Sequence, residues 1–138
     1  MDRYIQFSHT SDIGVRVFGQ TLEELFENAA FAMFDIIADL DGIKSTITQE
    51  FELTSQNYEE LLKAWLDELL YNFYTKNIIF NKFEIVKLSE DFISAKASGK
   101  PVADNRNRLK TEIKATTYYN LKIIKKDDYY EVDIVFDV

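Results

Sequence analysis

Hydrophobic residues recur at two different periods along this chain, and the longer period predicts two helices. Between residues 21 and 38, apolar positions are separated by three or four residues, which is typical of an amphipathic helix. Thr21 and Glu24 form a capping-box pattern at the start of this segment. A second helix is predicted to follow Asn57, a suitable cap. Its apolar stripe is the clearest in the protein and comprises Tyr58, Leu61, Leu62, Trp65, Leu66, Leu69, Leu70 and Phe73.

Alternating apolar and polar positions predict strands in the remainder of the chain. The predicted strand segments are 13–18, 46–54, 80–87, 92–98, 113–124 and 129–136. A polar loop is predicted at 99–108, where the only proline lies. The element order is about β-β-α-β-α-β-β-β-β. Because strands outnumber helices and adjoin one another, we expect an α+β fold with a mostly antiparallel or mixed sheet and two amphipathic helices. Residues 1–138 are expected to form a single compact domain.

Composition excludes several classes of site. The chain has 138 residues and no cysteine, so a disulfide framework, a thiolate nucleophile and a cysteine zinc site are excluded. A single histidine excludes a multi-histidine metal site. The formal charge of −8 disfavours direct nucleic-acid binding, which needs lysines and arginines to replace counterions. It favours a metal cation, a basic protein or plain solubility. With neither a targeting sequence nor a membrane span predicted, we expect a cytosolic protein.

Two clusters of polar residues are candidates for chemistry. The segment from His9 to Gly14 places an imidazole, two hydroxyls and the Asp12 carboxylate directly before a strand. Asp12 is either a turn-closing residue or a hard oxygen ligand for a cation. At the other end of the chain, the Asp137 carboxylate adjoins the α-carboxylate of Val138. This pair is either a solvated terminus or an anionic site that a cation would stabilise.

The predicted loop at 99–108 is locally basic, with Lys100, Arg106 and Arg108. It is either a solvated loop or a surface that contacts phosphate or an acidic partner. No phosphate-binding glycine loop, zinc-protease motif or serine-hydrolase elbow is present in the sequence.

Four segments together resemble the archease family. His9-Thr10-Ser11-Asp12-Ile13-Gly14 is similar to that family's His-Thr-Ala-Asp-Ile-Gly motif, and Ile113-Lys114-Ala115-Thr116-Thr117-Tyr118 to its Ile-Lys-Ala-Val-Thr-Tyr motif. Val135-Phe136-Asp137-Val138 resembles its C-terminal ending, and Trp65-Leu66-Asp67-Glu68-Leu69-Leu70 resembles its second helix. The resemblance covers the whole chain in the correct order.

The resemblance implies an accessory activator rather than an enzyme. Archeases assist the RtcB-type RNA-splicing ligase by promoting guanylylation of its active-site histidine and its multiple turnover, and they broaden its use of nucleotide triphosphates. A link to tRNA splicing, RNA repair and GTP would therefore be indirect, through the ligase. The implied metal ligands are Asp12, Asp137 and Val138, and oxygen ligands suit Ca²⁺, Mg²⁺ or Mn²⁺. The candidate partner-contacting residues are His9, Lys100, Arg106, Arg108 and Lys114.

This sequence departs from the family pattern at three places. Tyr119 and the pair Asn107-Arg108 stand where the family commonly has histidine, and Ser11 replaces alanine. Two alternative functions stay open. One is a stand-alone metal-dependent phosphoesterase or nucleotide-processing enzyme that uses His9, Asp12 and Asp137. The other is a chaperone-like interaction module.

Overall fold

Two α-helices and eight β-strands form in the computed structural model of this protein, which describes the main chain of residues 1–138 and every side chain except that of His9. The helices are α1 (Leu22–Ile37) and α2 (Tyr58–Lys76). The strands are β1 (Tyr4–His9), β2 (Asp12–Gly19), β3 (Ile47–Thr54), β4 (Ile78–Leu88), β5 (Phe92–Pro101), β6 (Ala115–Thr116), β7 (Ile123–Lys125) and β8 (Tyr130–Asp137).

The strands form two antiparallel sheets. In the five-stranded sheet, β8 pairs with β2 on one side and with both β6 and β7 on the other, while β1 pairs with the outer side of β2. The three-stranded sheet has the order β3-β5-β4. The predicted α+β fold with two helices is confirmed, and every strand pairing described is antiparallel.

Helix α1 lies between the two sheets, where it packs against β2 and β4. Most of its residues are buried, including Phe26, Met33 and Phe34. Trp65 of α2 is fully buried, and its indole N–H donates to the main-chain oxygen of Phe26 at 3.1 Å. The one buried polar atom of that large ring is therefore satisfied, and a single hydrophobic core joins both helices and both sheets.

Helix starts agree with the sequence prediction. The Thr21 hydroxyl accepts from the main-chain N–H of Glu24 at 3.0 Å, and the Asn57 side chain accepts from that of Glu60 at 2.9 Å. Each cap satisfies an N–H that has no partner within its helix.

Two segments differ from the prediction. The segment 113–124 is not one strand: it is divided into β6 and β7 by a turn in which the N–H of Leu121 donates to the oxygen of Tyr118 and Asn120 has a φ of 49°. The segment 99–108 is not entirely a loop. Strand β5 continues through Pro101, and two short 3₁₀ turns, Val102–Asp104 and Arg106–Arg108, follow it. In the part of the chain that the structure describes, no helix is both long and apolar enough to cross a membrane.

Candidate metal and partner site

A tight hairpin places Asp12 at one end of the five-stranded sheet. His9, the last residue of β1, pairs with Asp12, the first residue of β2, and only Thr10 and Ser11 lie between them. Ser11 has a φ of 61°, which lies in the left-handed region that few residues other than glycine adopt. The polar cluster predicted from the sequence is thus the hairpin turn itself, with Asp12 half-buried at its exit.

The pairing of β2 with β8 brings the two predicted carboxylates to the same place. Ile13 pairs with Phe136, and Asp12 and Asp137 are the next residues outward on their strands. Because side chains alternate between faces, both carboxylates lie on the sheet face opposite to the buried Phe136. β2 and β8 are therefore neighbours, as a site shared by Asp12 and Asp137 requires.

A third strand fixes the main chain of Asp137. The N–H of Lys114 donates to the oxygen of Asp137 at 2.7 Å, and Ala115 pairs with Asp137 in the β6–β8 ladder. Val138 is half-buried against the hydrophobic core, whereas Asp137 is exposed. The end of β8 is thus anchored by β6 and by the packing of Val138, and its main-chain oxygens lie beside the Asp137 carboxylate.

Charge on this sheet face is compensated further along the strands. Arg16 donates two hydrogen bonds to Asp133, from Nε at 2.8 Å and from Nη2 at 3.0 Å. These bonds, followed by the attraction of the Asp133 charge, raise the pKa of the Arg16 guanidinium. Asp12 and Asp137 lie on the same face, four residues further along each strand towards the end of the sheet. The carboxylate oxygens of Asp12 and Asp137 are therefore concentrated at the end of this face, where they could act as ligands for a cation.

The predicted partner-contacting residues are not all brought together. The main chains of His9 and Lys114 lie at the carboxylate end of the five-stranded sheet, through their pairing with Asp12 and Asp137. The side chain of His9 lies outside the described residues. Lys100 belongs to the other sheet, where it pairs with Ile79.

Arg106 and Arg108 lie in the second 3₁₀ turn. Arg106 is exposed. Arg108 has internal partners: it donates to Asn105 Oδ1 at 3.1 Å and to the main-chain oxygens of Asp39 and Asp41, in the turn that follows α1. The guanidinium of Arg108 therefore ties this segment to the end of α1.

The sequence did not predict the contact between helix α2 and strand β6 that lies beside the site. Lys63 and Asp67 have the spacing of an exposed helix face, yet Asp67 accepts hydrogen bonds from Lys63 Nζ at 2.6 Å and from the hydroxyl of Thr116 in β6. The only signal was the i, i+4 spacing of Lys63 and Asp67, which is common on solvated helices.

Oxygen is the donor type that this site offers to a cation. Among the side chains that the structure describes, no three His, Asp or Glu residues are grouped so as to hold a metal ion. A cation bound here would take the carboxylates of Asp12 and Asp137 and complete its shell with oxygens of Val138 and water. Such a donor set suits Ca²⁺, Mg²⁺ or Mn²⁺ and not a soft metal.

Fold and site together define a class of small α+β proteins with two antiparallel sheets and a pair of carboxylates at the shared end of two strands. The archease protein family matches residues 4–138. The chain is 38% identical to a protein archease of Methanosarcina mazei, over 99% of this chain and 96% of that one. It is 34% identical to a protein archease of Sulfurisphaera tokodaii, with both chains fully covered. The chain belongs to the archease family.

Solved structures agree with this assignment. The solution structure of Methanobacterium thermoautotrophicum protein 1598 superposes with a TM-score of 0.85 at 30% identity, and both chains are covered completely. The crystal structure of an archease from Thermotoga maritima, described as a possible chaperone, has a TM-score of 0.68 at 24% identity and covers 100% of this chain and 98% of that one. The second likeness supports the fold alone.

Proposed function

We propose that this archease activates an RtcB-type RNA-splicing ligase in the cytosol, by promoting guanylylation of the ligase's active-site histidine and repeated turnover. The protein is an accessory factor in this proposal, and the ligase carries out the chemistry on RNA. Membership of the archease family supports the proposal, and so does the observation that carries it: Asp12 and Asp137 lie at adjacent strand ends on one face of a sheet.

The proposed working part of the protein is this acidic end of the five-stranded sheet. Asp12, Asp137 and Val138 would hold a divalent cation, and Lys114 lies beside them through its main-chain bond to Asp137. When bound, the cation supplies positive charge that can neutralise phosphate oxygens. Phosphoryl transfer depends on positioning and on charge neutralisation, so an end of this kind, inserted near the ligase's nucleotide, would assist guanylylation and widen nucleotide use.

The protein's own charge fits a protein partner better than RNA. With a net charge of −8, the chain has little capacity to replace counterions along a phosphate backbone. An acidic surface instead suits a protein partner, here an enzyme that itself binds metal ions and RNA. The link to RNA and GTP would then pass through the ligase.

A multiple-turnover RNA ligation assay with the ligase of the same organism tests the proposal. The protein should stimulate ligation and histidine guanylylation, and Asp12→Asn and Asp137→Asn should abolish both effects while remaining folded. Asp127→Asn is a matched control, because Asp127 is an exposed acid in the turn before the opposite end of β8. Full stimulation by the two folded site variants would contradict the proposal.

A chaperone-like interaction role is a second candidate. The observation that favours it is that this chain exposes large aromatic side chains at Tyr71, Tyr74, Tyr118 and Tyr119. Suppression of aggregation that is unchanged by Asp12→Asn would favour this role. Turnover of phosphoesters or nucleotides by the purified protein alone would instead favour a metal-dependent enzyme.

A further inference from the structure

Strand β6 is too short to hold its place in the sheet by its own ladder. It consists of two residues, Ala115 and Thr116, which pair with Asp137 and Phe136. The main-chain bond from Lys114 to Asp137 O at 2.7 Å lies on one side of this pairing, and a bond from the N–H of Thr117 to Val135 O at 3.0 Å lies on the other. So short a ladder needs support from outside the sheet.

Helix α2 supplies that support through the hydroxyl of Tyr74, which donates to the oxygen of Ile113 at 2.6 Å, and through the carboxylate of Asp67. Asp67 Oδ1 accepts from the hydroxyl of Thr116, and Oδ2 accepts from Lys63 Nζ at 2.6 Å. Thr116 is buried, and the Lys63 side chain is only 16% exposed. The Lys63 ammonium also lies 4.7 Å from the ring centroid of Tyr118, just beyond β6. Both oxygens of Asp67 are thus engaged, and the helix contacts the segment on either side of Thr117.

The path from Asp67 to the carboxylate end of the sheet is short and continuous. Asp67 binds Thr116, and Thr116 pairs with Phe136. The next pair outward is Ala115 with Asp137, and β2 lies on the other side of β8. Without β6, the main-chain oxygen of Asp137 would lose its donor, and the end of β8 would be held by β2 alone. Chain ends fray unless they are tied down in this way.

We propose that Asp67 is a positioning residue for the cation site: by fixing β6 on α2, it holds the oxygens of Asp137 and Val138 beside Asp12. This role rests on the proposed function, in that it requires a divalent cation to bind at Asp12 and Asp137. Asp67 itself is not a ligand in this proposal. It acts through Thr116 and the β6–β8 ladder, as residues outside a metal's ligand set commonly orient the ligands.

Four variants separate positioning from a general loss of stability. Asp67→Ala removes the carboxylate, and Thr116→Val removes only the hydroxyl at nearly constant volume. Thr116→Ser keeps the hydroxyl and should restore wild-type behaviour. Glu68→Ala removes the neighbouring acid of α2, which contacts Asn72 and not β6, so it controls for lost helix charge. Circular dichroism and thermal unfolding establish that each variant is folded.

Two measurements test this positioning role. Amide hydrogen exchange reports on β6 directly: exchange at Lys114 and Thr117 should become about tenfold faster in Asp67→Ala and Thr116→Val. Calorimetric titration with calcium chloride reports on the site: the same two variants should bind about tenfold more weakly. Thr116→Ser and Glu68→Ala should match the wild type in both measurements.

The outcomes distinguish this role from the proposed function. If the wild type binds calcium and both Asp67→Ala and Thr116→Val bind it equally well, the positioning role is overturned and the cation site stands. Faster exchange at Lys114 and Thr117 with unchanged affinity overturns it too. If the wild-type protein binds none of Ca²⁺, Mg²⁺ and Mn²⁺, the cation site fails, and the positioning role fails with it.

Discussion

The ring of Phe7 lies directly over Gly14, the residue with which it pairs across the β1–β2 ladder. A Cβ atom on Gly14 would lie 2.2 Å from Cε2 of Phe7, well inside van der Waals contact. The glycine of the His-Thr-Ser-Asp-Ile-Gly segment therefore has a packing role: it admits an aromatic ring onto the sheet face that carries Asp12 and Asp137.

Gly14→Ala should consequently destabilise the protein by about 1–3 kcal/mol, because the ring of Phe7 must leave its place. Urea unfolding followed by circular dichroism measures the change. In a Phe7→Ala background, Gly14→Ala should lower the free energy of unfolding clearly less than it does in the wild type, because the obstructing ring is gone. Strict additivity of the two changes would show that the contact is not the cause.

Cation binding should stabilise the folded state. At a free Ca²⁺ concentration of about 100 times its dissociation constant, the free energy of unfolding should rise by about 2.7 kcal/mol, and chelation should reverse the gain. Asp12→Asn and Asp137→Asn should lose this increment, whereas Asp127→Asn should keep it. Thermal unfolding with and without chelator measures it. An equal calcium-dependent gain in all variants would place the cation elsewhere on the protein.

The pH dependence of stability should reveal Glu27. Burial raises the pKa of this carboxyl group above its ordinary value of 4.5, nearby acids add to the rise, and the hydrogen bond from the N–H of Ile85, at 2.8 Å, opposes it. The folded state therefore binds its proton more tightly than the unfolded state does, and stability falls as pH rises from that ordinary value through the folded-state pKa.

Glu27→Gln keeps an acceptor for the N–H of Ile85 and removes the charge. Its urea midpoint should exceed that of the wild type at about pH 7, and the difference should shrink at about pH 3, where the wild-type carboxyl is largely protonated in both the folded and the unfolded state. Glu90→Gln, at an exposed position in the β4–β5 turn, is the control and should show no such pH-dependent gain. A gain of equal size at both pH values would argue against titration of Glu27.

Arg108 should contribute to stability through its geometry and not through its charge alone. Its guanidinium donates to Asn105 Oδ1 and to the oxygens of Asp39 and Asp41, a set that a lysine ammonium cannot span. Arg108→Lys should therefore cost about 1 kcal/mol in urea unfolding. Arg106→Lys, in the same 3₁₀ turn and exposed, should cost nothing measurable. Equal effects of the two substitutions would contradict this role for Arg108.

The helices were predictable because their signals are local. Thr21 and Asn57 mark the helix starts, and both act as caps in the structure. The apolar stripe of α2 alone places Trp65 in the core, since only one face of that helix can be buried. Such patterns need no knowledge of which other elements lie nearby.

The break between β6 and β7 was not predictable in the same way. The segment 113–124 is rich in β-branched and aromatic residues and contains neither glycine nor proline, so the pattern favours one continuous strand. The turn depends on Asn120, the only non-glycine residue in this segment with a positive φ. Asparagine adopts that conformation readily, but an asparagine between strand-forming residues is a weak signal.

The same difference between local and long-range signals applies to the candidate site. That Asp12 and Asp137 belong together came from the family resemblance, because no local pattern links residues so far apart in sequence. The contact of Asp67 with Thr116 was missed because the acid lies on a helix face that otherwise resembles a solvated one. A residue on an apparently exposed helix face can have a partner far away in sequence, and that partner can be identified only once the sheet register is known.

The central place of β8 has a consequence for how the protein folds. Its pairing with β2 joins Ile13 to Phe136, so the five-stranded sheet closes only when segments at opposite ends of the sequence meet. The entropy of closing such a long loop must be paid before the ladder stabilises the chain, which makes this a slow step. Helix α1 and the β4–β5 hairpin can form earlier, from neighbouring segments. Asp12 and Asp137 would thus come together only in molecules in which β2 and β8 have paired. Cation binding would therefore detect molecules that have finished folding.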